Sequence, residues 1–110
     1  MIEEIIIRYL NDVLDVPVYA EMPKDKQESF VLVEKTGSSV NNYIHSATIV
    51  LQSYAKSMNS TARLNEKVKK SMDDIVIHRQ ISKSKLNSDY NYTDTERKQY
   101  RYQAVYEVFY

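Results

Sequence analysis

The sequence predicts an α+β fold: a mostly antiparallel β-sheet with two principal amphipathic helices packed on one face. Three observations lead there. Apolar residues recur at steps of three and four in two separate segments, β-branched and aromatic residues alternate in several others, and strands come in groups instead of alternating strictly with helices. The 110 residues suit a single domain spanning 1 to 110, which buries enough surface to fold without covalent staples.

The first helix is written in Ile2, Ile5, Ile6, Tyr9, Leu10 and Val13, with Glu3, Glu4, Arg8, Asn11 and Asp12 mostly on the other side. Its acids fall in the first turn, where the helix dipole favours them, and Pro17 pushes the preceding residue out of helical angles, so the helix ends near Leu14. Val18 and Tyr19 suit a short strand, and Pro23 to Glu28 reads as a polar loop. Phe30 to Lys35 is apolar and β-branched up to Gly37-Ser38-Ser39, and alternation resumes from Ile44 to Ala55. These form a hairpin whose tip is predicted at Gly37 to Tyr43; with no Asn-Gly or Asp-Gly pair, its turn type stays open.

Ser57, Asn59 and Ser60 are candidate N-caps for a second helix over about Asn59 to Val76, striped by Ala62, Leu64, Val68, Met72, Ile75 and Val76. Ile77 to Leu86 then reads as a strand edge, Asn87 to Lys98 as a polar turn, and Gln99 to Tyr110 as a final alternating strand.

Composition excludes several functions. Without cysteine there are no disulfides or thiolate metal sites, and with Gly37 as the one glycine there is no phosphate-cradling loop of the Walker or dinucleotide type. Fifteen basic and fifteen acidic residues cancel, which argues against a DNA-coating protein or an electrostatic membrane tail. No apolar run reaches the ~20 residues of a membrane-spanning helix. Met1-Ile2-Glu3-Glu4 carries acid where a signal peptide carries base, so a reducing cytosol is the expected place of synthesis. Asn59-Ser60-Thr61 and Asn91-Tyr92-Thr93 would then never meet a glycosylation enzyme.

Charge is unevenly placed: residues 1 to 28 hold seven acids and three bases, residues 59 to 89 seven bases and four acids. The two helices can attract each other within one chain, or an acidic side of one subunit can face a basic side of the next in a ring.

Candidate catalytic groups are few. His45 and His78 lie in or beside predicted strands without a carboxylate at a ligand or triad spacing, and read as structural. Asp73 and Asp74 point about 100° apart on a helix and cannot work as a close dyad. Asp89, Asn91, Asp94 and Glu96 lack the central glycine of a calcium loop, and Tyr100 stands where its bidentate glutamate belongs. Lys67, Lys69 and Lys70 read as a solvated helix face.

Six of the ten tyrosines, Tyr90, Tyr92, Tyr100, Tyr102, Tyr106 and Tyr110, fall in the last 21 residues. Along the final strand Tyr100, Tyr102, Ala104, Tyr106, Val108 and Tyr110 share the face expected to be buried, either in the core or in a contact between subunits. Arg97, Lys98 and Arg101 among these aromatics suggest stacking on single-stranded bases as a weaker reading.

The chain resembles the tail terminator family of long-tailed bacteriophages, also called tail completion or head-tail joining proteins. The likeness lies in the N-terminal amphipathic helix leading to Val16-Pro17-Val18-Tyr19 and Pro23, and in Phe30-Val31-Leu32-Val33-Glu34-Lys35-Thr36-Gly37. It continues in the strand Ala47 to Tyr54 that delivers Ala55-Lys56-Ser57 to a helix, and in Tyr102-Gln103-Ala104-Val105-Tyr106-Glu107-Val108. The resemblance implies a hexameric ring that caps the tail tube and offers a docking surface to a head-side connector or stopper protein. It implies a virion protein of the neck, made in the bacterial host cytoplasm, with no reaction, cofactor, metal, membrane or sequence-specific nucleic acid involved. Under it, Tyr100, Arg101 and Tyr102 are candidates for subunit contact, and Gly37, Asn41, Asn42, Tyr90 and Tyr92 for loop tips that meet partners. Other small neck or head completion proteins, a nucleic-acid-binding module and a small enzyme remain as alternatives.

Overall fold

The structure, a computed structural model, describes residues 1–25 and 27–110; within the predicted loop Pro23 to Glu28, Lys26 lies outside the described residues. The order is α1 (Ile2–Val13), β1 (Val18–Tyr19), β2 (Phe30–Asn41), β3 (Ile44–Ala55), α2 (Met58–Asp74) continued by a 3-10 turn (Ile75–Ile77), β4 (Lys83–Asn91) and β5 (Tyr100–Phe109). The strands form one sheet in the order β1-β2-β3-β5-β4, antiparallel except where β1 runs parallel to β2. The predicted α+β class is the observed one.

Each helix forms for local reasons and is held by a non-local face. In α1, Glu3 and Glu4 occupy the first turn, and Leu14 leaves the helix with extended angles three residues before Pro17. In α2, Ser57 Oγ accepts the Ser60 N–H at 3.1 Å, and the Thr61 hydroxyl donates to the Ser57 carbonyl at 2.6 Å. Ile2, Ile6 and Leu10 of α1 and Leu64, Val68 and Met72 of α2 then meet Val31, Val33, Ala47, Ile49, Leu51, Ala104, Tyr106 and Val108 of the sheet in one core. Both helices therefore cover the same face, and each large side chain buried there contributes about 1.5–3 kcal/mol. Of the uneven charge, Lys67 of α2 pairs at 3.9 Å with Asp15, two residues past the end of α1, and the exposure of both keeps the pair weak.

Two predicted boundaries and one predicted burial pattern change. Gly37 lies inside β2, just beyond a bulge between Lys35 and Gly37, and the turn is the two residues Asn42 and Tyr43, with φ of 50° and 67°. Both central residues being left-handed is the hairpin geometry whose twist matches the flanking strands. Gly37 has no positive φ, and a Cβ there meets nothing within 4 Å, so no turn depends on it. The polar segment Lys83–Asn91, read as half strand edge and half turn, is a continuous edge strand. Finally, of the tyrosines on the inward face of β5 only Tyr106 is fully buried; Tyr100 and Tyr102 are half-buried at the end of the strand and Tyr110 is exposed.

Candidate functional site

The fold leaves two rows of backbone groups without a strand partner. Among the described residues the sheet ends at β4, which pairs with β5 alone, and on the other side β1 pairs only with Val31 and Leu32. β2 is thus open from Val33 to Asn41, a stretch as long as β4 itself. Such rows of unpaired N–H and C=O groups are templates for another strand.

The two open stretches lie at the same level of the sheet. Reading across the registers, Ser39 stands opposite Ser46, Ser46 opposite Phe109 and Phe109 opposite Lys83; at the lower end Val33, Leu51, Ala104 and Asp89 form the corresponding row. β2 and β5 run one way and β3 and β4 the other. The edges differ in chemistry. β4 displays Lys83 and Lys85, the kind of charge that discourages indiscriminate pairing, while from Thr36 to Ala55 the hairpin carries no acidic, lysine or arginine side chain. Its tip exposes Val40, Tyr43 and Ile44, with Tyr43 97% exposed. A tyrosine with φ of 67° sits in a region that costs a non-glycine residue about 1–2 kcal/mol.

β4 is anchored to α2 despite its polarity. Asp89 accepts hydrogen bonds from Asn65 Nδ2 and Lys69 Nζ of α2, each at 3.0 Å, and Lys69 also pairs with Glu66 at 3.0 Å. Hydrogen bonds to Asp89 and then Glu66 raise the Lys69 pKa. Lys69 is therefore not the solvated residue its neighbours Lys67 and Lys70 suggested. Tyr106 Oη donates to the Lys69 carbonyl at 3.1 Å and to Asp73 at 3.2 Å, which ties β5 to the same helix. Burial, followed by the nearby Asp73 charge, pushes the Tyr106 phenol well above its ordinary range.

The helix-free face of the sheet carries a second polar array. Tyr54 Oη donates to Gln52 at 3.0 Å, Gln52 to Gln103 at 2.8 Å, and Gln103 to the Tyr90 hydroxyl. Phe30 stacks on Tyr54 with ring centroids 4.6 Å apart, and the Arg101 guanidinium lies 4.4 Å over the Tyr92 ring while its Nε donates to the Tyr92 carbonyl at 2.6 Å. A cleft of about 310 Å³ at this end is lined by Phe30, Tyr54, Lys56, Arg97, Lys98 and Tyr100 among others.

The candidate residues distribute unevenly over this framework. Tyr100, Arg101 and Tyr102 belong to β5, an interior strand; Tyr102 is paired on both sides, and the Arg101 carbonyl accepts the Tyr92 N–H just past β4. Of the proposed tip residues only Asn42 is in a turn: Gly37 and Asn41 are in β2, Tyr90 is in β4, and the Tyr92 N–H bonds the Arg101 carbonyl at 2.9 Å just past the strand. Asp89, Asn65 and Lys69 were missed as a group, since residues 20 and 24 positions apart in sequence share no periodic signal. His45 is exposed and lies against the Tyr110 ring at 5.7 Å, and His78 Nδ1 accepts a long 3.4 Å bond from Gln80. Among the described residues no three His, Cys, Asp or Glu side chains group as a metal site, and no helix is long and apolar enough to cross a membrane. Compared with known proteins, the chain matches no family model and no curated sequence.

Proposed function

We propose that the chain is a ring-forming structural protein of the tail terminator kind, which closes the end of a phage tail tube and gives the head-side connector or stopper protein its docking surface. The observation that carries this reading is the pair of open edges at matching levels on opposite ends of one sheet. Rotating a copy about an axis along the strands brings its β4 antiparallel to β2 of its neighbour. The patch used on each side is different, so the contact is heterologous and repeats until the rotation closes. Six copies follow from the resemblance.

Lys83 and Lys85 of one subunit then stand opposite Ser39 and Gly37 of the next on the helix-free face, in a contact that uses the backbone groups left unpaired in one copy. The uncharged hairpin with Val40, Tyr43 and Ile44 at its tip is the element that reaches the tail tube protein or the connector, replacing the polar tips expected from sequence. On this reading the work is done by contact, in the virion neck, and no bond is made or broken.

The test is morphological. Particles whose genome lacks this gene are expected, in negative stain, to carry tails of uncontrolled length that fail to join heads. Tails of normal, uniform length that still join heads contradict the proposal. A head completion protein fits the same edges but predicts normal tails beside defective heads.

A further inference from the structure

One corner of the sheet is closed by unusual means. β1 is two residues long, and toward β2 the Pro17 carbonyl accepts the Val31 N–H at 3.0 Å. On its other side, where a further strand would bind, the Val18 N–H donates to Asn11 Oδ1 at 3.0 Å and the Val18 carbonyl accepts from Asn11 Nδ2 at 3.1 Å. A carboxamide offers one acceptor and one donor side by side, the same pair of groups that a neighbouring strand presents. Pro17, just before, has no N–H to offer. Asparagine is a weak helix former, so its place in the last turn of α1 is explained by this hydrogen bonding and not by the helix.

The position of this cap has a consequence for assembly. β4 is polar on both faces and mostly exposed, and such strands specify their pairing register weakly, because a slip costs little buried apolar surface. Something other than β4 side chains must set where a neighbour stops along β2.

We propose that Asn11 and β1 form an edge stop that closes Phe30–Leu32 of β2 to a second copy of this chain and confines subunit pairing to Val33–Asn41. This rests on the ring reading above and adds what fixes its register. With the stop in place, a neighbour's β4 cannot slide toward Phe30, and each subunit joins the next at one angle. Without it, several registers become comparable, and each closes a different curvature or none.

The test uses the full chain as wild type, Asn11→Ala and Asn11→Gln. Alanine is the better helix former, so α1 persists in Asn11→Ala, and Asn11→Gln keeps the amide while displacing it by a methylene. By hydrogen exchange, the Val18 amide is expected to exchange about fivefold to tenfold faster in both variants, as loss of one ordinary hydrogen bond produces. By mass and negative stain, wild-type assemblies are expected to have one size and those of the variants several. Variants whose Val18 amide has lost protection but whose assemblies match wild type overturn the stop, as does unchanged Val18 exchange. A wild-type chain that stays monomeric at every concentration overturns the ring reading and the stop with it, and wild type alone tells that failure apart.

Discussion

Replacing Tyr106 by alanine is expected to destabilise the fold by about 3–5 kcal/mol, the usual cost of removing a buried aromatic ring. The ring is fully buried on the interior strand β5, flanked by Ile49 of β3 and Leu86 of β4, and its hydroxyl reaches α2 at Lys69 and Asp73. Alanine leaves a cavity where the sheet meets the helix, and nothing adjacent is free to collapse into it. For a domain of this size the melting temperature should fall by roughly 12–20 °C. Tyr106→Phe keeps the ring and loses only the hydroxyl; Asp73 is exposed and can turn to water, so the cost drops to about 1 kcal/mol. Thermal unfolding of both variants checks the assignment. Equal losses in the two would mean that the hydroxyl, and not the packed ring, holds β5 to α2.

The second large effect is expected at Asp89. Asp89→Ala removes the acceptor shared by Asn65 and Lys69, and Asn65 is buried with its Oδ1 already without a partner. The carboxamide is then left with no hydrogen bond, and a buried group stranded in this way costs about 1–3 kcal/mol, with more lost from the charged bond to Lys69. Because these bonds anchor β4 to α2, the edge strand should loosen before the rest of the molecule does. Amide exchange along Lys83–Asn91 is expected to accelerate more than exchange in β3 or β5, and assembly should weaken in parallel. Uniform acceleration across the whole sheet would contradict a local anchoring role.

Much of the fold was legible because its signals are local. Ile2, Ile6 and Leu10 are spaced for one helix face and Pro17 stops the helix; Ser57 caps α2; Ala47, Ile49 and Leu51 alternate inward on a strand. What misled was also local. Gly37 suggests a turn because glycine so often is one, whereas the chain turns at Asn42 and Tyr43, a position tyrosine rarely fills. β4 was half hidden because Lys83–Asn91 carries almost no apolar residues: pairing with β5 and the Asp89 network hold it, and neither is written within nine residues.

The candidate site was less legible for a related reason. Sequence texture pointed to side chains, the tyrosines and arginine of β5, whereas the open strand edges present main-chain atoms at the two ends of the sheet. Which strand lies at an edge depends on the whole topology, so no window of sequence announces it. The proposed ring contact accordingly moves from side chains to backbone, since two different edges on opposite sides of one sheet suit a head-to-tail contact.

Subunit contact between β2 and β4 is tested most directly by Ser39→Cys combined with Lys83→Cys, in a chain that has no cysteine of its own. Within one subunit the two positions are three strand spacings apart, about 14 Å, too far to bridge. Across an antiparallel contact between neighbours they would come within about 4.5–5.5 Å, inside disulfide reach. Mild oxidation of the double variant should give a ladder of covalently joined subunits on denaturing gels, ending at the ring number, while each single variant gives at most a dimer. A double variant that shows no species beyond those of the single variants would contradict the edge-to-edge ring.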